Sequence, residues 1–399
     1  MNGSFKLAAP LAMALAVAAC NAGGSSGMVP TTGQSAASTQ AYSDWKVTGS
    51  ARRACPDARP GVEECDALVI NSQIGPAVSG WGPADFQAAY DLPSSSKGGG
   101  QIVAVVDAFD NPNVASDLAV YRSNFGLPTA NFTKYNQEGK IGDYPKGDPG
   151  WGTEIDLDVQ MVSATCPNCT IYLVEAKTNS SKNLYAAEKE AVKLGATVVT
   201  NSWGGGGGGS TRGAFNTAGI VYLASAGDSG YGMQDPADYQ TVVSVGGTLL
   251  SKSSSAYSER VWPSSGGGCS KIAKPSWQTD PKCKKRTGND VSAVAWGVAI
   301  YDTYPNGGWG TVGGTSVSSP LVAGVYGLAG NSGSQDGGKV LWTLSKKQLK
   351  SGLNAINNGQ VSGCPSQYAG TYICVAGTGE FGTYSGPTGW GSPHGISAF

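Results

Sequence analysis

The chain has 399 residues, a formal net charge of −1 and one histidine, His394, close to its C-terminus. These values exclude a metal site built from several histidines, and a Ser-His-Asp relay would need an imidazole from the far end of the chain. The near-neutral charge argues against nucleic acid as a partner. Hydrophobic residues make up 40% of the chain, which is enough for a folded core.

The first residues have the pattern of an export signal. An apolar stretch at residues 7–19 follows Lys6, and it has the length of a signal-peptide core but is too short to span a bilayer. It ends in Val17-Ala18-Ala19-Cys20, which resembles a bacterial lipobox, in which the cysteine is lipidated after cleavage. An ordinary signal peptide with a cysteine beside its cleavage site is the alternative. We expect a signal peptide over residues 1–19 and an exported bacterial protein, either anchored in the cell envelope through Cys20 or extracellular.

A flexible tether and a short disulfide-containing segment are expected over residues 20–75, before a folded domain at residues 76–399. The tether is predicted because residues 22–50 are rich in Gly, Ser, Thr and Ala without periodicity. Apart from Cys20, the cysteines form four pairs that are close in sequence: Cys55 and Cys65, Cys166 and Cys169, Cys269 and Cys283, Cys364 and Cys374. Eight cysteines allow 105 pairings, and local pairing is the simplest of them.

The Cys166-Pro-Asn-Cys169 motif has three interpretations. It could be a redox pair, half of a zinc site or a small structural disulfide. A zinc site would need a second such pair or histidines, and no thioredoxin-like helix start surrounds the motif. We therefore predict a structural disulfide.

The middle of the chain alternates between short apolar runs and helical patterns. In chain order, we predict a strand at residues 102–106, helices at 114–125 and 153–164, a strand at 171–174, a helix at 181–194, strands at 197–200, 220–224 and 241–245, and a helix at 316–328. This alternation is typical of an α/β fold with a mostly parallel sheet covered by helices on both faces. Such sheets place their chemistry beyond the carboxyl ends of the strands. The one basic run, at residues 282–286, is interpreted as a solvated loop.

Ser316 lies at a tight turn that opens the last predicted helix. Free N–H groups and the positive end of the helix dipole would favour negative charge developing beside such a serine, so it could be a nucleophile. Pro320 fits only if this helix begins close to Ser316, where its missing N–H costs nothing. The alternative is a helix cap with no chemical role.

Glu154 and Asp158 are four residues apart and therefore share one face of a helix. The residues around them are mainly apolar, which suggests a position near a core or cleft, where the two carboxyl groups would have coupled and raised pKa values. A solvated acidic turn at a helix N-terminus fits the same residues. Asp228 follows a predicted strand between glycines, and it could form a turn or aim a carboxyl group into a site.

Taken in order, these motifs resemble those of the sedolisin family of serine-carboxyl peptidases. The Glu-x-x-x-Asp motif is matched by Glu154 and Asp158, Ser-Gly-Asp-x-Gly by residues 226–230, and Ser-Gly-Thr-Ser-x-Ser-x-Pro by residues 313–320. Further matches lie at residues 245–248, 274–277, 290–293 and 386–391, and agreement runs from residue 81 to residue 399.

The resemblance implies a subtilisin-like three-layer fold and an acid-active endopeptidase over residues 76–399. It assigns Ser316 as nucleophile, Glu154 as general base and then acid, Asp158 as the residue that orients Glu154, and Asp228 as the oxyanion partner. A carboxylate can accept the serine proton at acidic pH, where imidazole is already charged. An aspartic acid must be protonated to donate to an oxyanion, which again requires low pH or a raised pKa. Polypeptides are the implied substrates, and we expect a monomer.

Two features depart from the family pattern. Its members bind calcium near the C-terminus through two aspartates, and here those positions are Ala355 and Ser385. Only neutral oxygens would remain for the cation, so we expect no metal and no cofactor. The segment between Cys20 and Trp81 is too short for the long prodomain usual in the family, so the restraint on premature activity is unexplained.

Two other functions compete with this interpretation. An ordinary subtilisin would carry its aspartate on a strand such as residues 103–107, but no histidine precedes Ser316 to complete its order. Asp107 is then structural or close to the cleft. A cell-surface binding protein on a catalytically weak peptidase scaffold would explain the lost calcium ligands, although all four catalytic positions are present.

Overall fold

The computed structural model describes residues 51–75, 78–205, 212–304 and 306–399. The predicted signal peptide, Cys20 and the tether up to residue 50 lie outside these ranges. The strands are β1 (Ala51–Arg53), β2 (Glu64–Cys65), β3 (Leu68–Gly75), β4 (Ile102–Ala108), β5 (Asn131–Asn136), β6 (Thr170–Ala176), β7 (Val198–Asn201), β8 (Trp203–Gly204), β9 (Val221–Ser225), β10 (Val242–Ser253), β11 (Ala256–Val261), β12 (Cys269–Ala273), β13 (Lys285–Thr287), β14 (Val291–Val294), β15 (Trp296–Asp302), β16 (Gly308–Gly313), β17 (Leu353–Asn354) and β18 (Ser392–Pro393). The helices are α1 (Pro83–Ala89), α2 (Val114–Asn124), α3 (Pro149–Thr165), α4 (Ser181–Lys193), α5 (Thr315–Ala329), α6 (Lys339–Thr343) and α7 (Lys346–Gly352).

An eight-stranded sheet forms the centre of the fold. Its order is β11-β10-β9-β7-β4-β6-β5, with β14 also paired to β10. All of these pairs are parallel except β10 with β11. The predicted, mostly parallel sheet is therefore confirmed.

Side chains of strand β4 divide between the two faces of this sheet. Val103 and Val105 pack in the core cluster that includes α3 and α5, whereas Ala104 and Val106 pack in the cluster that includes α4. A strand buried on both faces needs apolar residues at every position, which explains its continuous apolar run. The helices on opposite faces confirm the predicted three-layer α/β fold.

Helix α3 begins four residues before the predicted start at Thr153. Asp148 precedes it, and its carboxylate accepts from the backbone N–H groups of Gly150 and Trp151. Pro149 occupies the first turn, where a missing N–H costs nothing. Every residue from Trp151 to Thr165 is buried, so the helix has no solvent face.

A second, antiparallel sheet of order β1-β3-β16-β15 lies outside the predicted elements. Strand β3 ends at residue 75 and pairs with β16, so the chain before the expected domain start at residue 76 already contributes to this sheet.

Four disulfides join the cysteines that are close in sequence. They are Cys55–Cys65, Cys166–Cys169, Cys269–Cys283 and Cys364–Cys374. The predicted local pairing, including a disulfide within Cys166-Pro-Asn-Cys169, is confirmed.

The prediction of a solvated basic loop at residues 282–286 was partly wrong. Lys284 and Lys285 are exposed, but Arg286 is buried and its guanidinium lies 2.7 Å from a carboxylate oxygen of Asp290. A buried charge requires such a partner. Among the helices of the described ranges, none combines the length and apolar character needed to cross a bilayer.

Candidate active site

Ser316 and Glu154 meet between helices α5 and α3. The Ser316 hydroxyl donates to Oε2 of Glu154 at 2.9 Å, and both residues are fully buried. Ser316 is the second residue of α5, so it lies at the positive end of the helix dipole. A serine that donates to a carboxylate at this position has the geometry of a nucleophile with its base.

The start of α5 is adapted to this contact. Pro320 has no N–H to donate to the carbonyl of Ser316, and the Ser202 hydroxyl donates to that carbonyl at 3.4 Å instead. The helix begins at Thr315, close to Ser316 as predicted, but Pro320 lies inside it beyond the first turn, so the expectation that its missing N–H costs nothing was wrong.

Glu154 and Asp158 are not a solvated acidic turn, because neither side chain is exposed. Burial and the negative charges of Asp158 and Asp107 raise the pKa of Glu154 well above its usual range. Burial and the charge of Asp107 do the same for the pKa of Asp158, although the neighbouring Ser202 and Glu154 side chains oppose this shift. Neither oxygen of Asp158 nor Oε1 of Glu154 has a hydrogen-bond partner in the described ranges. The ionised forms of both carboxyl groups are therefore disfavoured.

Asp107 supplies a third carboxyl group to this cluster. It lies near the carboxyl end of β4, where parallel sheets place their chemistry. Burial raises the pKa of Asp107 to about 8, and its charge raises those of Glu154 and Asp158. The expectation that Asp107 is structural or close to the cleft is confirmed.

Asp228 is oriented by the residue before Ser316. Its Oδ1 accepts from the backbone N–H of Thr315 at 2.8 Å and from the Thr315 hydroxyl at 2.9 Å. Its Oδ2 is buried and has no hydrogen-bond partner within the described ranges. Burial raises the pKa of Asp228 to about 7, although the two Thr315 hydrogen bonds oppose this shift. Below that pH a neutral carboxyl group has a hydrogen available to donate.

Sequence reasoning missed Ser202 and Thr315. The first contacts Ser316 from a loop 114 residues away, and the second contacts Asp228 over 87 residues. Asp66 was missed as well. It is buried, and its carboxyl group accepts a hydrogen bond from the Ser225 hydroxyl. His394 is exposed, in agreement with the predicted absence of a usable imidazole.

The two positions where the family pattern has calcium ligands carry no carboxylate. Ala355 is exposed, and the Ser385 hydroxyl is 2.7 Å from that of Thr388. Both offer a hard cation at most neutral oxygens, which make poor sites.

One cluster of three buried carboxyl groups lies elsewhere in the described ranges. Asp117, Asp156 and Asp302 each place an oxygen within 4.8 Å of the others. Burial and the neighbouring charges of Asp302 and Asp117 raise the pKa of Asp156 well above its usual range. Protonation relieves this repulsion, so the cluster by itself does not indicate a metal ion.

The fold and the site together define a subtilisin-like scaffold on which carboxyl groups surround a serine at a helix N-terminus. A model of the subtilase family matches residues 129–368, more than half of the chain. The chain therefore belongs to the subtilase family, and sedolisins are among the proteins to which it is similar.

Two curated relatives are sedolisin-type enzymes. Kumamolisin from Bacillus sp. (strain MN-32) is 29% identical over 287 residues, which cover 62% of this chain and 51% of kumamolisin. Sedolisin from Pseudomonas sp. (strain 101) is 26% identical over 389 residues, which cover 84% of this chain and 63% of sedolisin. The chain thus spans between half and two thirds of the length of these relatives.

A solved structure of Pseudomonas sedolisin, a serine-carboxyl proteinase complexed with two molecules of pseudo-iodotyrostatin, is similar in fold. The TM-score is 0.68 at 26% identity, and the match covers 80% of this chain and 96% of that one. The resemblance recognised from the motifs is confirmed by these matches.

Proposed function

We propose that the chain is an acid-active serine-carboxyl endopeptidase that hydrolyses polypeptides. The observation that carries the proposal is the 2.9 Å hydrogen bond from the Ser316 hydroxyl to Glu154. Ser316 is the nucleophile, and Glu154 is the base that accepts its proton. Asp158 orients Glu154 and holds the second proton site of the pair.

Asp228 stabilises the oxyanion in this proposal. As the substrate carbonyl becomes tetrahedral, its oxygen gains negative charge and needs donors in a dry site. The neutral Asp228 carboxyl donates from Oδ2, while Thr315 fixes its orientation. A pKa of about 7 keeps this group neutral throughout the acidic range.

Acid activity follows from the two kinds of carboxyl group. The first proton of the Glu154–Asp158 pair must leave before Glu154 can act as a base, and repulsion between the two then holds the second proton. Asp228 must keep its proton. The site is competent where the pair is singly protonated and Asp228 is neutral, which lies on the acid side of pH 7.

The proposed location is outside the cytoplasm, either in the cell envelope through a lipid on Cys20 or in the medium. Four disulfides fit an oxidising compartment. We propose further that the enzyme is a monomer and needs no cofactor or calcium. A binding protein on a weak peptidase scaffold would account for the missing calcium carboxylates, but the hydrogen bond from Ser316 to Glu154 favours a peptidase.

Casein hydrolysis between pH 3 and 7 tests the proposal, with peptide products identified by mass spectrometry. Ser316→Ala should lose activity by a factor on the order of 10⁶, and Glu154→Ala should abolish measurable hydrolysis. Ser318→Ala is the matched control, because this hydroxyl donates only to the carbonyls of Ala293 and Val294. Full activity of Ser316→Ala or Glu154→Ala with an unchanged circular dichroism spectrum would refute the assignment.

A further inference from the structure

Asp66 lies beside the nucleophile in an extended stretch of chain. Strand β2, which ends just before it, pairs antiparallel with β8. Asp66 donates its backbone N–H to the carbonyl of Ser202 at 3.1 Å, and the Ser316 hydroxyl is 3.4 Å from the same carbonyl. Extended peptides bind to proteins by this kind of strand addition. The position of Asp66 therefore marks where one residue of a bound polypeptide lies next to Ser316.

The carbonyl of Asp66 lies near the proposed oxyanion donor. A side-chain carbon on Gly314 would be 2.0 Å from the Asp66 carbonyl oxygen and 2.7 Å from Oδ2 of Asp228, so the two oxygens approach each other over this glycine. A carbonyl held near both the nucleophile and the oxyanion donor is the one that a peptidase attacks. Asp66 thus occupies the place of the substrate residue on the acyl side of the scissile bond. We refer to the space around its side chain as the Asp66 pocket.

Two neutral groups donate hydrogen bonds inside the Asp66 pocket. Asp66 is 1% exposed, and its Oδ2 accepts from the Ser225 hydroxyl at 2.5 Å. The side-chain amide of Gln234 donates to the same oxygen and is 3.4 Å from the Ser225 carbonyl, to which it also donates. The second contact fixes the orientation of the amide. Because a buried donor without an acceptor costs free energy, the pocket disfavours an apolar side chain of the same size.

The depth of the Asp66 pocket is set by Gln234 and by two glycines that pack against it. A side-chain carbon on Gly204 would lie 2.6 Å from Cδ of Gln234, and one on Gly227 would lie 3.0 Å from its Oε1. The amide is thus confined between two stretches of main chain, which limits how far it can move away from Asp66. A side chain one methylene longer than that of aspartate would press its end group against this amide. The pocket therefore favours a short side chain.

Negative charge is disfavoured in the Asp66 pocket. Burial raises the pKa of the Asp66 carboxyl well above its usual range, and the charge of Asp228 adds to this. Other charged groups also act on this carboxyl, namely Glu64 and Arg53 on the strands before it and Glu154 and Asp158 on α3. The Ser225 hydrogen bond and Arg53 oppose the rise in pKa without cancelling it. A carboxyl group in the pocket is therefore held in its neutral form.

We propose that Ser225 and Gln234 determine specificity by selecting asparagine or aspartic acid as the residue on the acyl side of the bond that the enzyme hydrolyses. A substrate takes the place of residues 64–66 beside β8 and presents its own short amide or carboxyl group to the same two donors. Ser225 and Gln234 contact this side chain and not the reacting atoms. The inference rests on the proposed peptidase function and adds a substrate preference to it.

Cleavage of a matched peptide series at pH 4 tests the preference. The peptides differ only in the residue before the scissile bond, which is asparagine, aspartate, leucine or glutamine, and mass spectrometry confirms the bond that is cut. The kcat/KM for asparagine and for aspartate should exceed that for leucine at least about tenfold, because leucine has a similar shape but no acceptor for the two donors. Glutamine should be at least about tenfold slower than asparagine because of its extra methylene.

The variant Gln234→Leu distinguishes recognition of the side chain from a general loss of activity. It removes the amide donor at similar volume, so kcat/KM for the asparagine peptide should fall at least about tenfold while that for the leucine peptide rises. A structural defect would slow both peptides alike. Gln240→Leu is the matched control, because the exposed Gln240 donates to the carbonyl of Ala273 at 2.8 Å and not to Asp66. Its preference should equal that of wild type.

The pH dependence separates the two favoured residues. A free aspartate side chain has a pKa near 3.9, so the neutral form that the pocket accepts becomes scarce above that pH. The ratio of kcat/KM for the aspartate peptide to that for the asparagine peptide should fall about tenfold per pH unit between pH 5 and 7. Titration of the enzyme cancels in this ratio. A constant ratio would contradict the exclusion of negative charge from the pocket.

Casein hydrolysis by the same samples separates this proposal from the proposed function. Casein cleavage together with equal kcat/KM for the asparagine and leucine peptides would overturn the preference and leave the peptidase function standing. An unchanged preference in Gln234→Leu would overturn the role of Gln234. If neither casein nor any of the peptides is cut, both proposals fail.

Discussion

Replacing Asp228 by asparagine separates the shape of this side chain from its charge. Oδ1 takes both hydrogen bonds from Thr315, at 2.8 and 2.9 Å, and Oδ2 has no partner within the described ranges. An asparagine can accept the same two bonds and place an NH₂ donor where Oδ2 lies. Asp228→Asn should therefore fold normally and stabilise the oxyanion at any pH.

The magnitude follows from the pKa of Asp228, which burial raises to about 7. The neutral fraction of Asp228 falls from about one half at pH 7 to about 1% at pH 9. Loss of an oxyanion donor costs about 10²–10³-fold in kcat. The ratio of kcat for Asp228→Asn to that of wild type should therefore rise roughly 50-fold between pH 7 and 9.

The assay is the initial rate of cleavage of a saturating chromogenic peptide from pH 4 to 9. Melting curves at each pH check that the fold persists. Asp228→Ala is the control without a donor, and its kcat should be about 10²–10³-fold low throughout the acidic range. If kcat falls equally with rising pH for wild type and Asp228→Asn, another group controls that fall. This result would refute the donor role of Asp228.

Three further outcomes can be measured with the same protein. Thr315→Val removes a hydrogen bond that lowers the pKa of Asp228, so the alkaline limb of kcat should move to higher pH, and an unchanged limb would contradict this. Burial raises the pKa of Asp107 from its usual 3.8 to about 8 in the folded protein. Its contribution to stability is therefore complete below pH ~4 and is lost as pH rises to ~8, at about 1.4 kcal/mol per pH unit. Asp107→Asn should flatten that part of the melting-temperature profile, and a slope equal to wild type would exclude Asp107 as its source. EDTA should leave the melting temperature unchanged, because Ala355 and Ser385 supply no carboxylate; a drop of several degrees would show that a bound cation stabilises the fold.

The parallel part of the fold could be predicted because apolar residues recur with different spacing in its strands and in its helices. The predicted strand at residues 102–106 and helix at 114–125 match Ile102–Ala108 and Val114–Asn124 within two residues at each end. The antiparallel strands, such as Gly308–Gly313, are short and interrupted by glycines, so neither period is visible in them. They depend on long-range pairing for their structure.

The site could be predicted in part from local sequence. The spacing of Glu154 and Asp158 placed them on one helix face, and their apolar neighbours suggested a core or cleft. A solvated turn stayed possible, because α3 is buried all round and has no amphipathic pattern to indicate its inner side. Thr315 and Ser202 gain their roles from partners far away in the chain. Such contacts depend on how the elements pack and have no local signature.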